Sequence, residues 1–219
     1  MKLLIFDIDG TLTNTTKVDD KCFIKAFEQT FSISIEGYDW DTLQNVTDWG
    51  ITEEIILNKF GRVPTAFEYE EMMANFVAQL EQEKIKNKNQ FEEVKGATAY
   101  FNYLKTQSNC QLGIATGGWR KSALLKLNTI GIDVSGVAFA TSNDYKSRVD
   151  ITRFAIQQLK DKVTENIDET IYFGDGLWDY KTCKNLGIRF VGIDVLGNGK
   201  LKEAGAEEVF RDFVSCSIN

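Results

Sequence analysis

The sequence predicts an α/β protein: a Rossmann-like, doubly wound parallel sheet carrying an inserted block of α-helices. Three observations predict it. Residues Lys2 to Phe6 form an apolar-leaning run too short for a helix that ends abruptly in Asp7-Ile8-Asp9-Gly10. Such a run suits a strand covered on both faces, as in parallel sheets. From Lys95-Gly96 onward, short buried runs alternate with amphipathic stretches, the rhythm of an open sheet with helices on both sides. Between these regions, residues 15 to 90 carry helical periodicity and no strand pattern.

Element by element, the helical block begins with Phe23, Ala26, Phe27 and Phe31 at spacings of three and four, followed by a turn-rich stretch from Gly37 to Trp49. A helix over Ile51 to Phe60 stops at Gly61, and a longer one runs from Thr65 to about Lys86, with Met72, Phe76 and Leu80 on its apolar side. Then come helix Ala97 to Lys105, strand Cys110 to Thr116, helix Arg120 to Thr129, strand Val137 to Thr141 and helix Asp150 to Leu159. Strand Thr170 to Phe173, helix Leu177 to Leu186, strand Arg189 to Ile193, a short helix near Leu201 and a short strand at Glu208 to Phe210 complete the chain. The expected organisation is a core of residues 1–14 and 91–219 with a helical domain of residues 15–90 inserted in it.

A chain of 219 residues, 43% hydrophobic and 26% charged, with one proline, has the composition of an ordinary globular protein, with a compact, enzyme-sized body expected and little room for disorder. Its formal charge of −7 opposes a nucleic-acid or anionic membrane partner, both of which want basic patches, and favours a small-molecule substrate. The opening apolar run breaks at Asp7, short of a signal-peptide core, and no stretch approaches the roughly 20 apolar residues of a membrane helix, so a cytoplasmic monomer or homodimer is expected. Cys22, Cys110, Cys183 and Cys216 lack CxxC spacing and read as reduced thiols. The chain has no histidine. That removes Ser-His-Asp and Cys-His hydrolases, histidine phosphatases and His-ligated zinc enzymes together, and leaves carboxylates, Lys, Thr and a hard metal ion as the catalytic set.

Asp7 and Asp9 lie at the carboxyl end of the first strand, where open α/β sheets bind ligands. Residues i and i+2 point the same way, so both carboxylates can converge on one cation and one phosphate while Gly10 turns the chain away. A calcium EF-hand loop starting at Asp7 is excluded, because its sixth and twelfth places hold Leu12 and Val18. The run Asp7-Ile8-Asp9-Gly10-Thr11-Leu12-Thr13 resembles the first motif of the haloacid-dehalogenase-like superfamily of Mg-dependent aspartyl phosphotransferases.

Three further stretches extend that resemblance. Thr116-Gly117-Gly118 follows a buried strand and precedes a helix, so a hydroxyl and free amides can cradle phosphoryl oxygens, as in the second motif. Lys146-Ser147-Arg148-Val149-Asp150-Ile151 resembles the third, without its prolines; either Lys146 or Arg148 supplies the cation that offsets phosphoryl charge, with Lys146 preferred. Gly174-Asp175-Gly176-Leu177-Trp178-Asp179 resembles the fourth, and a dinucleotide fingerprint fails there because Asp179 stands where a third glycine is due.

The resemblance covers the whole chain and is to phosphoglycolate phosphatase- and beta-phosphoglucomutase-like members with a helical (C1) cap. It implies that Asp7 attacks a phosphate monoester, that Asp9 serves as acid and base, and that Thr116 and Lys146 neutralise charge. It also implies Mg²⁺ on the carboxylates of Asp7 and Asp175 and the carbonyl of Asp9, with Asp179 one helical turn further holding a metal-bound water or the cation. Gly10, Gly117, Arg148 and, from the cap, Thr47 and Asp48 are the expected substrate-binding residues, with Trp40, Trp49 and Arg62 as cap packing or substrate contacts. Asp9 opposes dehalogenation, which needs no such acid. The implied activity is hydrolysis of a small phosphorylated metabolite; a sugar-phosphate mutase is the alternative, and a phospho-Asp signalling or binding module the next.

Overall fold

The computed structural model describes residues 1–216. One sheet holds β1 (Lys2–Phe6), β2 (Cys110–Ala115), β3 (Ala138–Ala140), β4 (Glu169–Gly174), β5 (Arg189–Ile193) and β6 (Val209–Phe210), in the order β3-β2-β1-β4-β5-β6. All five pairings are parallel. The first strand of the sequence is therefore interior to the sheet, and the chain leaves it in both directions, the topology that opens a crevice at the strands' carboxyl ends.

Alternation along β1 explains why the sheet is covered on both faces. Leu4 and Phe6 point to one side, where they join Ile114 and Phe173 beneath α4 (Ala97–Lys105) and α5 (Arg120–Ile130). Leu3 and Ile5 point to the other, against Ile151, Ala155 and Leu159 of α6 (Arg148–Lys160) and Cys183 of α7 (Leu177–Leu186). Phe6 is fully buried and stacks on Phe173 with ring centroids 4.4 Å apart. Burying a side chain of that size contributes about 1.5–3 kcal/mol. The short helix α8 (Lys200–Glu203) follows β5 and sends Leu201 into the same second layer.

The inserted segment contains α1 (Thr16–Phe31), α2 (Asp48–Phe60) and α3 (Ala66–Lys86), which share a separate core of Phe23, Phe27, Ile55, Ile56, Phe76 and Leu80. A capping box between Thr65 and Glu68 starts α3, and Gly61, at φ +67°, ends α2 in the left-handed conformation. Trp119 enters this core from outside, as does Phe91 at the segment's edge, and Leu125 packs against it. No helix among the described residues is long and apolar enough to cross a membrane.

Two helices begin earlier than their periodicity predicts. For α2 the start is Asp48 and not Ile51, because Thr47 Oγ1 accepts the Gly50 N–H at 3.0 Å and caps the helix. For α6 it is Arg148 and not Asp150, because Ser147 Oγ accepts the Asp150 N–H at 3.1 Å. The strand predicted over Val137 to Thr141 is shorter by one residue at each end. These shifts of two or three residues decide which side chains face the crevice.

Candidate active site

The neighbouring strands β2, β1 and β4 end in register, Phe6 pairing with Ile114 on one side and Phe173 on the other. The residues just beyond them, Asp7, Thr116 and Asp175, are therefore brought to one place. Gly10, at φ +77°, carries the chain away from Asp7; a Cβ there would lie 1.9 Å from Asp175 Oδ2. Only glycine lets the loop and the Asp175 carboxylate approach so closely.

Asp7, Asp175 and Asp179 each direct an oxygen to a common point, the three within 4.8 Å of one another. Asp175 Oδ1 is buried and has no hydrogen-bond partner among the described residues. An all-oxygen donor set with an orphaned buried carboxylate oxygen fits a hard divalent cation. Burial pushes the Asp7 carboxyl up to about 7, helped by the charges of Asp179 and Asp9 and opposed by Arg148. Asp175 is held well above the ordinary carboxylate range by burial and then by Asp7.

Arg148 is the cation at this centre. Its Nη1 donates to Asp7 Oδ1 at 3.0 Å and to Asp179 Oδ1 at 2.9 Å, and its guanidinium lies 5.7 Å from the centre of the Trp178 ring. Burial works against its charge, but Asp179 and Asp7 overcome that and raise its pKa. Gly117 makes room for it, since a Cβ there would sit 2.8 Å from a guanidinium nitrogen. Asp179 is fixed from two further sides, by the Gly176 N–H at 3.2 Å and by the Tyr172 hydroxyl at 3.1 Å, which also lies 2.9 Å from the Ala115 carbonyl.

Lys146, the preferred cation on sequence grounds, is elsewhere. Its Nζ donates to Glu53 Oε1 at 2.7 Å, and the side chain is 44% exposed, against 13% for Arg148. The cause is the early start of α6. Arg148 occupies the first helical position beneath the strand ends, while Lys146 precedes the Ser147 cap and meets α2. Of the two cations the sequence offered, it is therefore Arg148 and not the preferred Lys146 that lies beside Asp7.

Asp9 faces differently from Asp7. Its Oδ1 accepts from the Thr15 hydroxyl at 2.5 Å and its Oδ2 from Lys126 Nζ at 2.5 Å. Lys126, on α5, is fully buried and also donates to Asp19 Oδ1 of α1 at 2.6 Å. Burial disfavours that ammonium, yet Asp19 and Asp9 hold its pKa above the usual lysine value. The Asp9 carboxylate is thus apart from the three clustered oxygens. Sequence reasoning missed Lys126 altogether, and Thr15, Asp19 and Asp20 with it.

Thr116 is buried, and its Oγ1 accepts the Gly118 N–H at 3.2 Å, which leaves the hydroxyl proton free to donate into the cavity that Thr116 lines. The inserted helices close over this turn. The Asp48 N–H donates to the Gly117 carbonyl at 2.8 Å, and Asp48 Oδ2 accepts the Trp119 N–H at 2.8 Å. Thr47 donates its hydroxyl to the Lys146 carbonyl at 2.6 Å. Both residues line the cavity, about 120 Å³ in volume, together with Asp7, Asp9, Thr116 and Arg148. Trp40 lines it too. Arg62 and Trp49 pack within the inserted helices, Arg62 on Glu68 at 2.6 Å and Trp49 against Tyr69.

A family model described as haloacid dehalogenase-like hydrolase matches residues 4–193. Among curated proteins, none matches the chain in sequence. Solved structures do. A hydrolase from Pseudomonas syringae is 22% identical, with a TM-score of 0.73 over 97% of this chain and 94% of its own. CbbY from Rhodobacter sphaeroides in complex with phosphate is 17% identical, with a TM-score of 0.70 over 97% and 95%. A beta-phosphoglucomutase from a hyperthermophilic Pyrococcus is 17% identical, with a TM-score of 0.60 over 100% and 96%.

Proposed function

Because the chain belongs to the haloacid dehalogenase-like hydrolase family, we propose that it is a Mg²⁺-dependent phosphatase that hydrolyses a small phosphate monoester through an aspartyl phosphate on Asp7. The observation that carries this reading is the convergence of Asp7, Asp175 and Asp179 at adjacent strand ends with the Arg148 guanidinium on Asp7. The phosphate held by the similar CbbY structure supports it. Residues 15–90 serve as the cap over this centre.

In this reading the Asp7 carboxylate attacks the phosphorus in line, the ester oxygen leaves, and water then cleaves the acyl phosphate. The Thr116 hydroxyl and the amides of its turn bind phosphoryl oxygens, and Arg148 offsets their charge. Asp9 gives a proton to the leaving oxygen and takes one from the incoming water, with Thr15 and Lys126 fixing its orientation. The carboxylates of Asp7 and Asp175, with Asp179 beside them and the main-chain oxygen of Asp9, would hold the magnesium. When bound, Mg²⁺ supplies the positive charge that lets a phosphate dianion enter an acidic centre.

The test is phosphate release from an aryl phosphate by the wild-type chain and by Asp7→Asn, each with and without Mg²⁺. Release that needs both the metal and Asp7 is expected. Release by Asp7→Asn at the wild-type rate would remove Asp7 as nucleophile, and no release from the aryl phosphate or from any of a panel of small phosphate monoesters would end the phosphatase reading.

A further inference from the structure

Resting on the phosphatase reading, the lining of the same cavity carries a statement about the alcohol half of the substrate. With the phosphoryl group between Asp7, Thr116 and Arg148, the rest of the molecule meets walls supplied by the cap: Asp19, Asp20, Phe23, Trp40, Asp48 and Ile51. Three of these six are carboxylates and two are aromatic.

The charges on that wall do not cancel. Arg148 is the only cation lining the cavity among the described residues, and Asp7 and Asp179 engage it. Lys126 lies behind the wall and answers Asp9 and Asp19. Asp20 and Asp48 have no ion-pair partner among the described residues; Asp20 accepts a hydrogen bond from the Trp40 side chain. Asp48 is only 7% exposed, its Oδ2 accepts the Trp119 N–H, and its Oδ1 accepts no hydrogen bond among the described residues. Two carboxylates without an ion-pair partner among the described residues, lining a cavity walled by Phe23 and Trp40, favour a ligand group carrying positive charge.

We infer that the substrate is the phosphate monoester of a small amino alcohol: one phosphoryl group at Asp7 and an ammonium group seated between Asp48, Asp20 and the Trp40 ring. A second phosphate or a carboxylate on the alcohol half would meet two unpaired acids and no cation. This disfavours a sugar bisphosphate, and with it mutase chemistry at this centre. The wider outer cleft, about 710 Å³, does carry Lys17 and Lys200, both exposed, beyond Asp20 and Trp40. A doubly anionic substrate would have to reach them.

Three phosphonates of matched length, differing only in the far group, decide between these cases: 3-aminopropylphosphonate, 3-hydroxypropylphosphonate and 2-carboxyethylphosphonate, titrated calorimetrically into the Mg²⁺-loaded wild-type chain. Their carbon–phosphorus bonds make binding readable whether or not the protein turns over. The ammonium ligand should bind about tenfold more tightly than the hydroxyl ligand, the scale of one charge-assisted contact, and the carboxylate ligand should bind weakest. In Asp48→Asn and Asp20→Asn the ammonium-to-hydroxyl affinity ratio should shrink about threefold or more. Reading the ratio matters, because a variant that is merely loosened moves both ligands together. Equal affinities, a preference for the carboxylate, an unchanged ratio in both variants, or no binding of any of the three would overturn the inference. Failure of the phosphatase reading shows separately, as an ammonium preference in a protein that releases no phosphate from the phosphate monoester of a small amino alcohol either.

Discussion

Arg148 Nη1 lies 3.0 Å from Asp7 Oδ1, and the same nitrogen reaches Asp179 Oδ1 at 2.9 Å, so one guanidinium holds the acid that follows β1 to the acid on α7. Arg148→Met should lower kcat/KM by about 10²–10³-fold, the range for removal of a preorganised charge aimed at a transition state. Lys146→Met should stay within about threefold, since its partner Glu53 is a partly exposed surface contact. Steady-state kinetics on one aryl phosphate separates the two, and the reverse order would return the role to Lys146.

Lys126 bridges Asp9 and Asp19 with no side-chain exposure. Lys126→Met should destabilise the fold by about 3 kcal/mol, the lower end of the cost of breaking a buried ion pair, because both acids keep some solvent contact. Adding Asp19→Asn should recover part of that loss by removing one of the two stranded charges. Urea unfolding of the single and double variants measures it. A loss below about 1 kcal/mol would mean that water screens the triad as it does a surface pair.

Gly10 and Gly61 have similar backbone angles, φ +77° and +67°, and different surroundings. A Cβ at Gly10 would collide with Asp175, whereas nothing lies within 4 Å of one at Gly61. Gly10→Ala should raise the Mg²⁺ concentration for half-saturation about tenfold or more, by displacing Asp175 from the cation's donor set. Gly61→Ala should cost only the left-handed strain, about 1 kcal/mol, and leave the metal titration where it was. Equal metal titrations in both would show that Asp175 is not a ligand.

Burial raises the carboxyls of Asp7 and Asp48 to about 7 and of Asp20 to about 6, from 3.8. Between those limits the folded chain holds protons that the unfolded chain has released, so stability falls as pH rises through this window and is regained as pH falls toward 4. The metal-free protein should therefore melt at a higher temperature at pH 5.5 than at pH 7.5. Magnesium should flatten the difference by favouring the ionised form of Asp7. Scanning calorimetry in EDTA and in Mg²⁺ tests both, and a metal-free Tm that rises with pH would refute the assignment.

Much of the architecture was legible in the sequence because it rests on local pattern. Helix Leu177–Leu186 and strand Arg189–Ile193 fall where their periodicity places them, and the acids at 7 and 175 lie beyond strands that proved to be neighbours. What escaped depends on distant pairing. Lys126 sits in an amphipathic helix and reads there as one more charge for water, yet its partners are 117 and 107 residues away in the chain. The choice between Lys146 and Arg148 turned on a helix start two residues earlier than expected, and Ser147 and Asp150 are both competent to cap a helix. Asp19 and Asp20 carried a fainter signal, as acids in the helix that directly follows the first loop.

Trp119 directly follows the Thr116-Gly117-Gly118 turn, yet its indole belongs to the cap's core, lying 6.1 Å from the ring of Phe23 and 6.2 Å from that of Phe76. Its main-chain N–H, moreover, is held by Asp48. The cap is thereby latched to the very turn that would grip phosphate. Swinging it open would pull on that turn, so access and grip form a single mechanical coordinate, and the indole stands where its fluorescence would register every excursion along it.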